Sequence, residues 1–236
     1  AMSVQDPRLR QQAVFITGTD TGVGKTAVAL LLMQKFQQQG LVVNGMKPFA
    51  SGAARTAEGL RNEDAEQLRS ASAQALCYED VNPWVFEPAI APHIAAQEAG
   101  VAFDWAEVLT RVLELKQRSD LLVIEGVGGW CVPLDAQYST EDFVIGLKVP
   151  VILVVGLRLG CLNHALLTYR AIVRSGLACA GWVANQIDPA MERVDENVAA
   201  LEQRIGAPLL GRIPFRAKVA GVAVDLHLDI DHLVAV

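Results

Sequence analysis

AVFITGTDTGVGKT, residues 13–26, is the stretch of the chain that determines its fold. The apolar run 13–16 predicts a buried strand, and the glycine-rich turn after it ends in Gly24-Lys25-Thr26, where an amphipathic helix is predicted to begin. A strand, a glycine-rich loop and a helix in this order are typical of phosphate binding, because glycines and a helix N-terminus direct backbone N–H groups at phosphate oxygens. The segment therefore predicts a nucleotide site.

The loop departs by one residue from the usual spacing of such loops. That spacing, Gly-x4-Gly-Lys-Ser/Thr, would put the first glycine at the position of Thr19, whereas the glycine is Gly18. The alternative is a chance Gly-Lys-Thr in a solvated loop, but the strand before it and the helix after it favour phosphate binding. Lys25 would then contact the outer phosphates, and the Thr26 hydroxyl would ligate Mg²⁺.

Strand and helix segments alternate along the rest of the chain. The alternation predicts an α/β fold of the P-loop NTPase type, with a doubly wound, mainly parallel sheet and helices on both faces. Ligands bind such a sheet at the carboxyl ends of its strands. The least regular region, residues 49–100, is interpreted as a functional insertion. The strands predicted after 13–16 are 42–46, 121–124, 151–155, 182–184 and 209–213, and the predicted helices are 25–38, 105–118, 164–175 and 193–205.

The composition argues against several function classes. Hydrophobic residues make up 52% of the 236 residues, and the mean hydropathy of +0.29 indicates a folded core. A net charge of −6 without a basic block argues against nucleic acid and acidic membranes as partners. The sequence shows no apolar run of bilayer length, no secretory signal and no C-x-x-C pair, so a cytoplasmic location without a zinc site is expected.

Charged residues follow two of the predicted strands directly. Lys47 comes after the strand 42–46, where it would either place a cation beside a transferred phosphate or extend to solvent. Glu125 comes after 121–124, where an unpaired carboxylate would be costly to bury; it would face Mg²⁺ or form an ordinary salt bridge. Asp64 lies in the charged patch 58–64, which by itself is more typical of a solvated helix start.

Two later segments are further candidates. Residues 156–163 lead into a helix for which Asn163 is the expected cap, and the helix start would either receive a substrate carboxylate or be an ordinary turn. Asn185 follows the strand 182–184, where its amide would hydrogen-bond an adenine edge or simply begin a turn.

Taken together, these segments resemble dethiobiotin synthetase, an ATP-dependent enzyme family that closes the ureido ring in biotin synthesis. The resemblance runs from about residue 13 to 216, and the one-residue offset of Gly18 is the family's own form of the loop. The segments that carry it are GTDTGVGKT (18–26), GMKPFASG (45–52), EGLRNEDA (58–65), VNPWVFEPAIAPHIAA (81–96), VIEGVGGW (123–130), PVILVVGLRLGCLNHALLT (150–168) and GWVAN (181–185).

The resemblance has two departures and sets the expected domain organisation. Gly22 stands where well-known members have Glu, so any contact from that side chain is missing, and the tail 218–236 matches little. We expect a single P-loop α/β domain over residues 1–236, in which 1–12 is an N-terminal extension that includes a cloning remnant and 218–236 is a divergent C-terminal tail.

The resemblance implies a ligase that acts on 7,8-diaminononanoate (7,8-diaminopelargonate), CO₂ and ATP, with Mg²⁺. Lys25 and Lys47 would flank the transferred phosphoryl group as catalytic residues, while Thr26, Asp64 and Glu125 would hold Mg²⁺. A homodimer with its substrate site at the interface is implied, with neither nucleic acid nor a membrane as a partner.

The resemblance also implies contacts for the diamine and for the nucleotide. Ser51 would contact the diamine or its carbamate, and the substrate carboxylate would bind a loop of the other subunit. That loop comprises Gly160, Cys161, Leu162 and Asn163. Further nucleotide contacts would come from Gly22, Val23, Gly24 and Ala27 in the phosphate loop, from Gly126, Val127 and Gly128, and, around the adenine, from Asn185, Gln186, Pro214, Phe215 and Arg216.

Two other functions of similar folds remain as alternatives. A corrinoid-type amide synthetase would need an amide nitrogen source, usually a glutaminase domain, for which the chain has no space. A partitioning or cell-division switch ATPase typically has a second lysine early in the phosphate loop. Here the early loop residues are Thr19, Asp20 and Thr21, and no amphipathic membrane tail is visible.

Overall fold

The main sheet is built entirely from parallel strands. The computed structural model describes residues 11–215 and residue 227. Within those residues the main sheet has six strands in the order β10-β9-β8-β1-β7-β2. The strands are β1 Gln12–Gly18, β2 Val43–Met46, β3 Phe49–Ser51, β4 Ala54–Thr56, β5 Gly59–Arg61, β6 Trp84–Phe86, β7 Leu121–Glu125, β8 Val151–Leu157, β9 Cys179–Gln186 and β10 Leu209–Ile213. The helices are α1 Lys25–Gln38, α2 Glu63–Ala71, α3 Tyr78–Val81, α4 Pro92–Glu98, α5 Trp105–Gln117, α6 Thr140–Leu147, α7 Cys161–Arg174 and α8 Val194–Glu202.

The predicted strands are those of the main sheet, so the predicted fold class is confirmed. Helix α1 has the predicted bounds, and α5 ends one residue earlier than predicted. Helix α7 begins three residues before its predicted start because Gly160, in a left-handed conformation with φ 95°, is the N-cap. The prediction that Asn163 caps this helix is therefore wrong, since Asn163 lies inside its first turn.

The strand order reverses direction between β1 and β8. The chain moves from β1 through α1 to β2 at one edge, and from β8 through α7 to β9 and then β10 toward the other. Because crossovers between parallel strands are right-handed, connections that run in opposite directions place α1 and α7 on opposite faces of the sheet. A reversal of this kind opens a crevice beyond the carboxyl ends of the strands, where ligands bind.

Residues 49–100 are more regular than predicted. They contain the short parallel pair β3–β6, the antiparallel hairpin β4–β5, and the helices α2, α3 and α4. These strands have three residues each, so they are too short to show a periodic pattern in the sequence. The insertion connects the end of β2 to the rest of the fold and carries Ser51 and Asp64.

The core lies on both faces of the main sheet. Strands β7 and β8 are buried at every position, as expected of strands that helices cover on both sides. Phe15 of β1 makes edge-to-face contacts with Trp130 and Phe143, at ring-centroid distances of 6.4 and 6.2 Å. Among the described residues, no helix combines the length and the apolar character that crossing a bilayer requires.

Substitution of Gly181 tests how tightly β9 and β10 pack against each other. A methyl group at Gly181 would lie 2.5 Å from Cγ of buried Leu210, whereas one at Gly146 in α6 would lie an ordinary 3.5 Å from Leu109. We expect Gly181→Ala to lower the free energy of unfolding by about 1–3 kcal/mol because of overpacking. Gly146→Ala should leave it unchanged or raise it by up to about 1 kcal/mol. Chemical denaturation measures both, and equal stabilities of the two variants would contradict the packing argument.

Candidate nucleotide-binding site

A cavity of about 1000 Å³ opens at the carboxyl ends of β1, β2 and β7. Such a volume is at the upper end of the range for small-molecule sites. Its lining brings together segments that are far apart in the sequence: the phosphate loop and α1, Lys47 after β2, Ser51 and Asp64 in the insertion, and Glu125 with the glycines that follow β7.

The phosphate loop presents the uncapped N-terminus of α1 to this cavity. Gly24 is the N-cap of α1 at φ 95°, and it has no side chain with which to bind the first N–H groups of the helix. Gly22 has φ 74°, and a Cβ atom there would meet nothing within 4 Å. The loop therefore leaves backbone donors at the positive end of a helix, which is where a phosphate binds.

Asn185 holds the phosphate loop from β9. Its Nδ2 donates to the backbone oxygen of Val23 at 2.7 Å, and the Asn185 side chain is buried. A side chain at Gly24 would collide with the Asn185 amide, so this close approach requires glycine there. The strand-end asparagine thus contacts the loop main chain, a contact that the sequence analysis did not predict.

Lys47 lies at the centre of a partly buried charge cluster. Its Nζ is 2.6 Å from Oε1 of Glu125 and 3.0 Å from Oδ2 of Asp64. The Thr26 hydroxyl donates to the same Glu125 oxygen at 3.0 Å. Lys47 is 5% exposed and Glu125 only 1%, so their ion pair is shielded from solvent, whereas the side chain of Asp64 is 42% exposed at the rim of the cluster. Three predicted metal ligands and one predicted catalytic lysine therefore meet at one point.

The cluster changes the acidity of its members. Burial alone would lower the pKa of Lys47, but the adjacent charges of Glu125 and Asp64 outweigh burial and raise it. Burial likewise opposes ionisation of Asp64, yet the Lys47 ammonium keeps the pKa of that carboxyl below its usual value. Both groups are thus held in their charged forms.

Lys25 behaves differently although it lies nearby. Burial, reinforced by the positive charge of Lys47, lowers the pKa of Lys25 to about 8. Its Nζ donates to the backbone oxygen of Asp20 at 3.0 Å. Lys25 therefore folds back on its own loop, and without a phosphate it holds its proton less tightly than an ordinary lysine.

The donor set fits Mg²⁺. Oxygen Oε2 of Glu125 is buried and has no hydrogen-bond partner among the described residues, so it is an acceptor without a donor. Asp64 supplies a second carboxylate and Thr26 a hydroxyl. No group of three or more His, Cys, Asp or Glu side chains that could hold a metal occurs in residues 11–215 or at 227. Mg²⁺ is usually bound by one or two carboxylates together with substrate phosphates, which matches this smaller set.

The predicted site residues separate into those that line the cavity and those that do not. Ser51 lines it, and its hydroxyl is buried without a hydrogen-bond partner in the described structure. The predicted carboxylate site at 160–163 lies outside the lining. Gly22, Gly24, Lys25, Thr26, Ala27, Val127 and Gly128 line the cavity, whereas Val23, Gly126, Asn185, Gln186, Pro214 and Phe215 do not. Arg216 lies outside the described residues.

The loop at 156–163 is nevertheless linked to the phosphate loop. Arg158 Nη2 contacts Asp20 Oδ2 at 2.6 Å, and the pKa of Asp20 is lowered, first by the Thr21 N–H and then by Arg158. Both side chains are partly exposed, so the ion pair contributes little to stability.

Several cavity residues were missed by the sequence analysis. Gln34 of α1 and Gln67 of α2 line the cavity, as do residues 89–92 in front of α4. Polar residues on solvent-facing helix positions are ordinary, so the sequence contains no signal that marks these glutamines. Residues 89–92 lie in the segment 81–96, which carries the family resemblance but for which no role is predicted from the sequence.

Comparisons with known proteins agree on the family. A family model described as "AAA domain" matches residues 12–223. The ATP-dependent dethiobiotin synthetase BioD of Pseudomonas paraeruginosa (strain DSM 24068 / PA7) is 51% identical over 219 residues, which cover 92% of this chain and 96% of that protein. The protein of the same name from Xanthomonas oryzae pv. oryzae (strain PXO99A) is 45% identical over 222 residues, covering 93% of this chain and 99% of that protein.

Solved structures that are distant in sequence share the fold. A ParA family ATPase from Chlorobium tepidum TLS aligns with a TM-score of 0.53 at 15% identity, covering 96% of this chain and 97% of that one. The MinD cell division protein of Aquifex aeolicus aligns with a TM-score of 0.52 at 16% identity, covering 89% and 85%. At such identities the likeness shows a common fold and nothing about function.

The contact between Asn185 and Val23 predicts a role in phosphate binding. We expect Asn185→Ala to weaken the binding of inorganic tripolyphosphate as well as ATP by about 5- to 150-fold, because a buried carbonyl loses its donor at a cost of about 1–3 kcal/mol. Calorimetric titration measures both affinities, with Asn197→Ala in α8 as the control. An unchanged affinity for tripolyphosphate together with a loss for ATP would show that Asn185 serves only the adenine.

The lowered pKa of Lys25 predicts a pH dependence of nucleotide affinity. Above about pH 8 the nucleotide-free protein loses the Lys25 charge, so ADP affinity should fall by at least about tenfold between pH 7 and pH 9.5. In Lys25→Arg the guanidinium stays charged over this range, and the affinity should be nearly independent of pH. A parallel fall in both proteins would assign the effect to another group.

Proposed function

The chain belongs to the family of ATP-dependent dethiobiotin synthetases, and we propose that it forms dethiobiotin from 7,8-diaminononanoate, CO₂ and ATP. Membership makes it an ATP-dependent ligase of biotin synthesis. The observation that carries the proposed reaction is the convergence of Lys47, Asp64, Glu125 and the phosphate loop on one cavity. The proposal treats the chain as one catalytic domain, since the strands of a single sheet position these segments.

The proposed reaction has three steps. One neutral amine of the substrate attacks CO₂ and loses a proton to give a carbamate. A carbamate oxygen then attacks the γ-phosphorus of ATP, the bond to ADP breaks, and a carbamic–phosphoric anhydride forms. The second amine attacks the carbonyl carbon, phosphate leaves with the anhydride electron pair, and loss of a proton completes the ring. Because both amines are on one molecule, ring closure is intramolecular, which can contribute roughly 7–11 kcal/mol.

The chain's contribution is positioning and charge. Lys47 stays protonated because Glu125 and Asp64 flank it, and its ammonium can turn from these carboxylates toward the γ-phosphoryl oxygens. Lys25 starts α1, and we propose that a bound triphosphate draws it away from the Asp20 carbonyl. Mg²⁺ held by Thr26, Asp64 and Glu125 would neutralise charge on the β- and γ-phosphates.

The diamine is proposed to bind next to Ser51. Ser51 lines the cavity together with residues 89–92, and its hydroxyl, which is buried without a partner among the described residues, is free to hydrogen-bond the amine or the carbamate. We propose that the substrate carboxylate binds at 160–163 of a second copy of the chain in a homodimer. Supporting this, Leu159 before α7 is 95% exposed and Leu167 within α7 is 57% exposed, and burying these apolar side chains against a second copy would be favourable.

The reaction is tested by product formation. With ATP, Mg²⁺ and bicarbonate present, we expect ADP release to require the diamine and dethiobiotin to appear in equal amount, measured by a coupled ADP assay and mass spectrometry. ADP release that ignores the diamine, or diamine-dependent release without the cyclic product, would overturn the proposed function.

Loss of the Lys47 charge should abolish most turnover. We expect Lys47→Gln to lower kcat by about 10²- to 10³-fold, because one preorganised stabilising group is removed. The amide of glutamine can still donate to Glu125, which limits the damage to the buried cluster. Lys116→Ala on α5 is the control and should keep wild-type kcat. A rate for Lys47→Gln near that of wild type would exclude a catalytic role for Lys47.

A further inference from the structure

A buried hydrogen-bond relay runs behind the charge cluster. The Tyr78 hydroxyl accepts the backbone N–H of Asn62 at 2.7 Å and donates to Oδ1 of Asn82 at 2.8 Å. Nδ2 of Asn82 donates in turn to the backbone oxygen of Lys47 at 2.6 Å. The side chains of this relay are almost completely buried, so each hydrogen bond lies in a region of low dielectric constant.

One end of the relay fixes the start of α2. Asn62 is the N-cap of α2, and its Oδ1 accepts the N–H of Ala65 at 3.2 Å. Asp64 is the second residue of this helix, so the position of its carboxylate follows from the position of the cap. The Tyr78 hydroxyl is the group that holds the Asn62 main chain from outside the helix.

The other end fixes the main chain of Lys47. The Lys47 carbonyl accepts from Asn82, and the Lys47 N–H donates to the backbone oxygen of Val81 at 2.8 Å. Helix α3 and the residue after it thus hold both polar main-chain groups of Lys47. The relay joins the two residues whose side chains meet as the Lys47–Asp64 ion pair, but it does so through the main chain.

The main-chain relay between Asp64 and Lys47 becomes important when a nucleotide binds. The Lys47 ammonium pairs with Asp64 and Glu125, and the same ammonium would be drawn toward an incoming γ-phosphate. Once that happens, the ion pair no longer fixes the carboxylate of Asp64. The relay does not depend on the ammonium, so it can keep Asp64 in place for a metal.

We propose that Tyr78 is a positioning residue for the metal site, acting through Asn62 on Asp64 and through Asn82 on Lys47. Arg61 supports the tyrosine, since its guanidinium carbon lies 4.2 Å from the centroid of the Tyr78 ring and covers it. The proposal rests on the proposed function only in taking Thr26, Asp64 and Glu125 as the metal ligands.

The test measures metal binding without turnover. Mn²⁺ binding in the presence of a non-hydrolysable ATP analogue is followed by electron paramagnetic resonance. The affinity for the analogue without metal is measured separately. We expect Tyr78→Phe to weaken Mn²⁺ binding by about tenfold or more, as is typical when a group that orients a metal ligand is lost. Affinity for the metal-free analogue should fall by a smaller factor than Mn²⁺ affinity, because the phosphate loop keeps its contacts.

Two variants separate positioning from general loosening of the fold. Tyr138→Phe removes a hydroxyl from a half-exposed ring that packs on Trp105, and it should bind Mn²⁺ as the wild type does. Gly181→Ala is expected to destabilise β9 and β10, at the edge of the main sheet away from β2, and it should also keep wild-type Mn²⁺ affinity. Wild-type affinity in Tyr78→Phe, or an equal loss in Gly181→Ala, would overturn the proposal.

A second variant covers the case in which Tyr78→Phe does not fold. Asn82→Asp keeps an acceptor for Tyr78 but loses the donor to the Lys47 carbonyl, and it should show the same loss of Mn²⁺ affinity; an unchanged affinity would overturn the proposal. Absence of Mn²⁺ binding in the wild type would overturn the ligand assignment and the proposal with it. Normal Mn²⁺ binding without dethiobiotin formation would overturn the proposed function alone.

Discussion

The burial of Lys47 between Glu125 and Asp64 is the interaction on which the candidate site depends. Removing one partner of a buried pair such as Lys47 and Glu125 typically costs about 3–5 kcal/mol, so each of these two charges makes the other tolerable, and the half-exposed Asp64 adds a second anion beside Lys47. The pairing is possible because β2 and β7 are parallel neighbours, in register from Val43 with Leu121 to Met46 with Ile124, so that the residues after them emerge together. The geometry of the sheet therefore brings a cation and a carboxylate together at the edge where the phosphate loop also ends.

The site is nearly balanced in charge before any ligand arrives. Two lysines, Lys25 and Lys47, face Asp64 and Glu125, while Asp20, the third carboxylate of the lining, pairs with Arg158. The two lysines respond differently: Lys47 keeps its proton firmly, while the pKa of Lys25 falls to about 8. A nucleotide would add negative charge on the side of the lysines, and a divalent cation would add positive charge beside the unpartnered oxygen of Glu125. The arrangement thus favours the two together over either alone.

Much of the main sheet and the composition of the site could be predicted from the sequence, whereas contacts between distant segments could not. The strands of the main sheet are runs of apolar residues long enough to be recognised, and their carboxyl ends were correctly expected to share one edge. Asn185 illustrates the limit: its place at a strand end is visible, but its hydrogen bond to Val23 spans 162 residues. Gly160 and Tyr78 show two further limits of prediction from sequence. The left-handed N-cap at Gly160 and the hydrogen-bond relay through the buried Tyr78 hydroxyl leave no periodic pattern in the sequence.

The position of β1 has a consequence for how the protein is made. Its partners in the sheet are β7 and β8, so the strand that supports the phosphate loop leaves the ribosome long before either neighbour exists. At roughly 5–20 residues per second, synthesis of the stretch from Gly18 to Glu125, the end of β7, takes roughly 5–21 s. Throughout that interval the nascent chain exposes an apolar strand that has no neighbouring strand to pair with. Such a segment is suited to chaperones that bind extended hydrophobic chains.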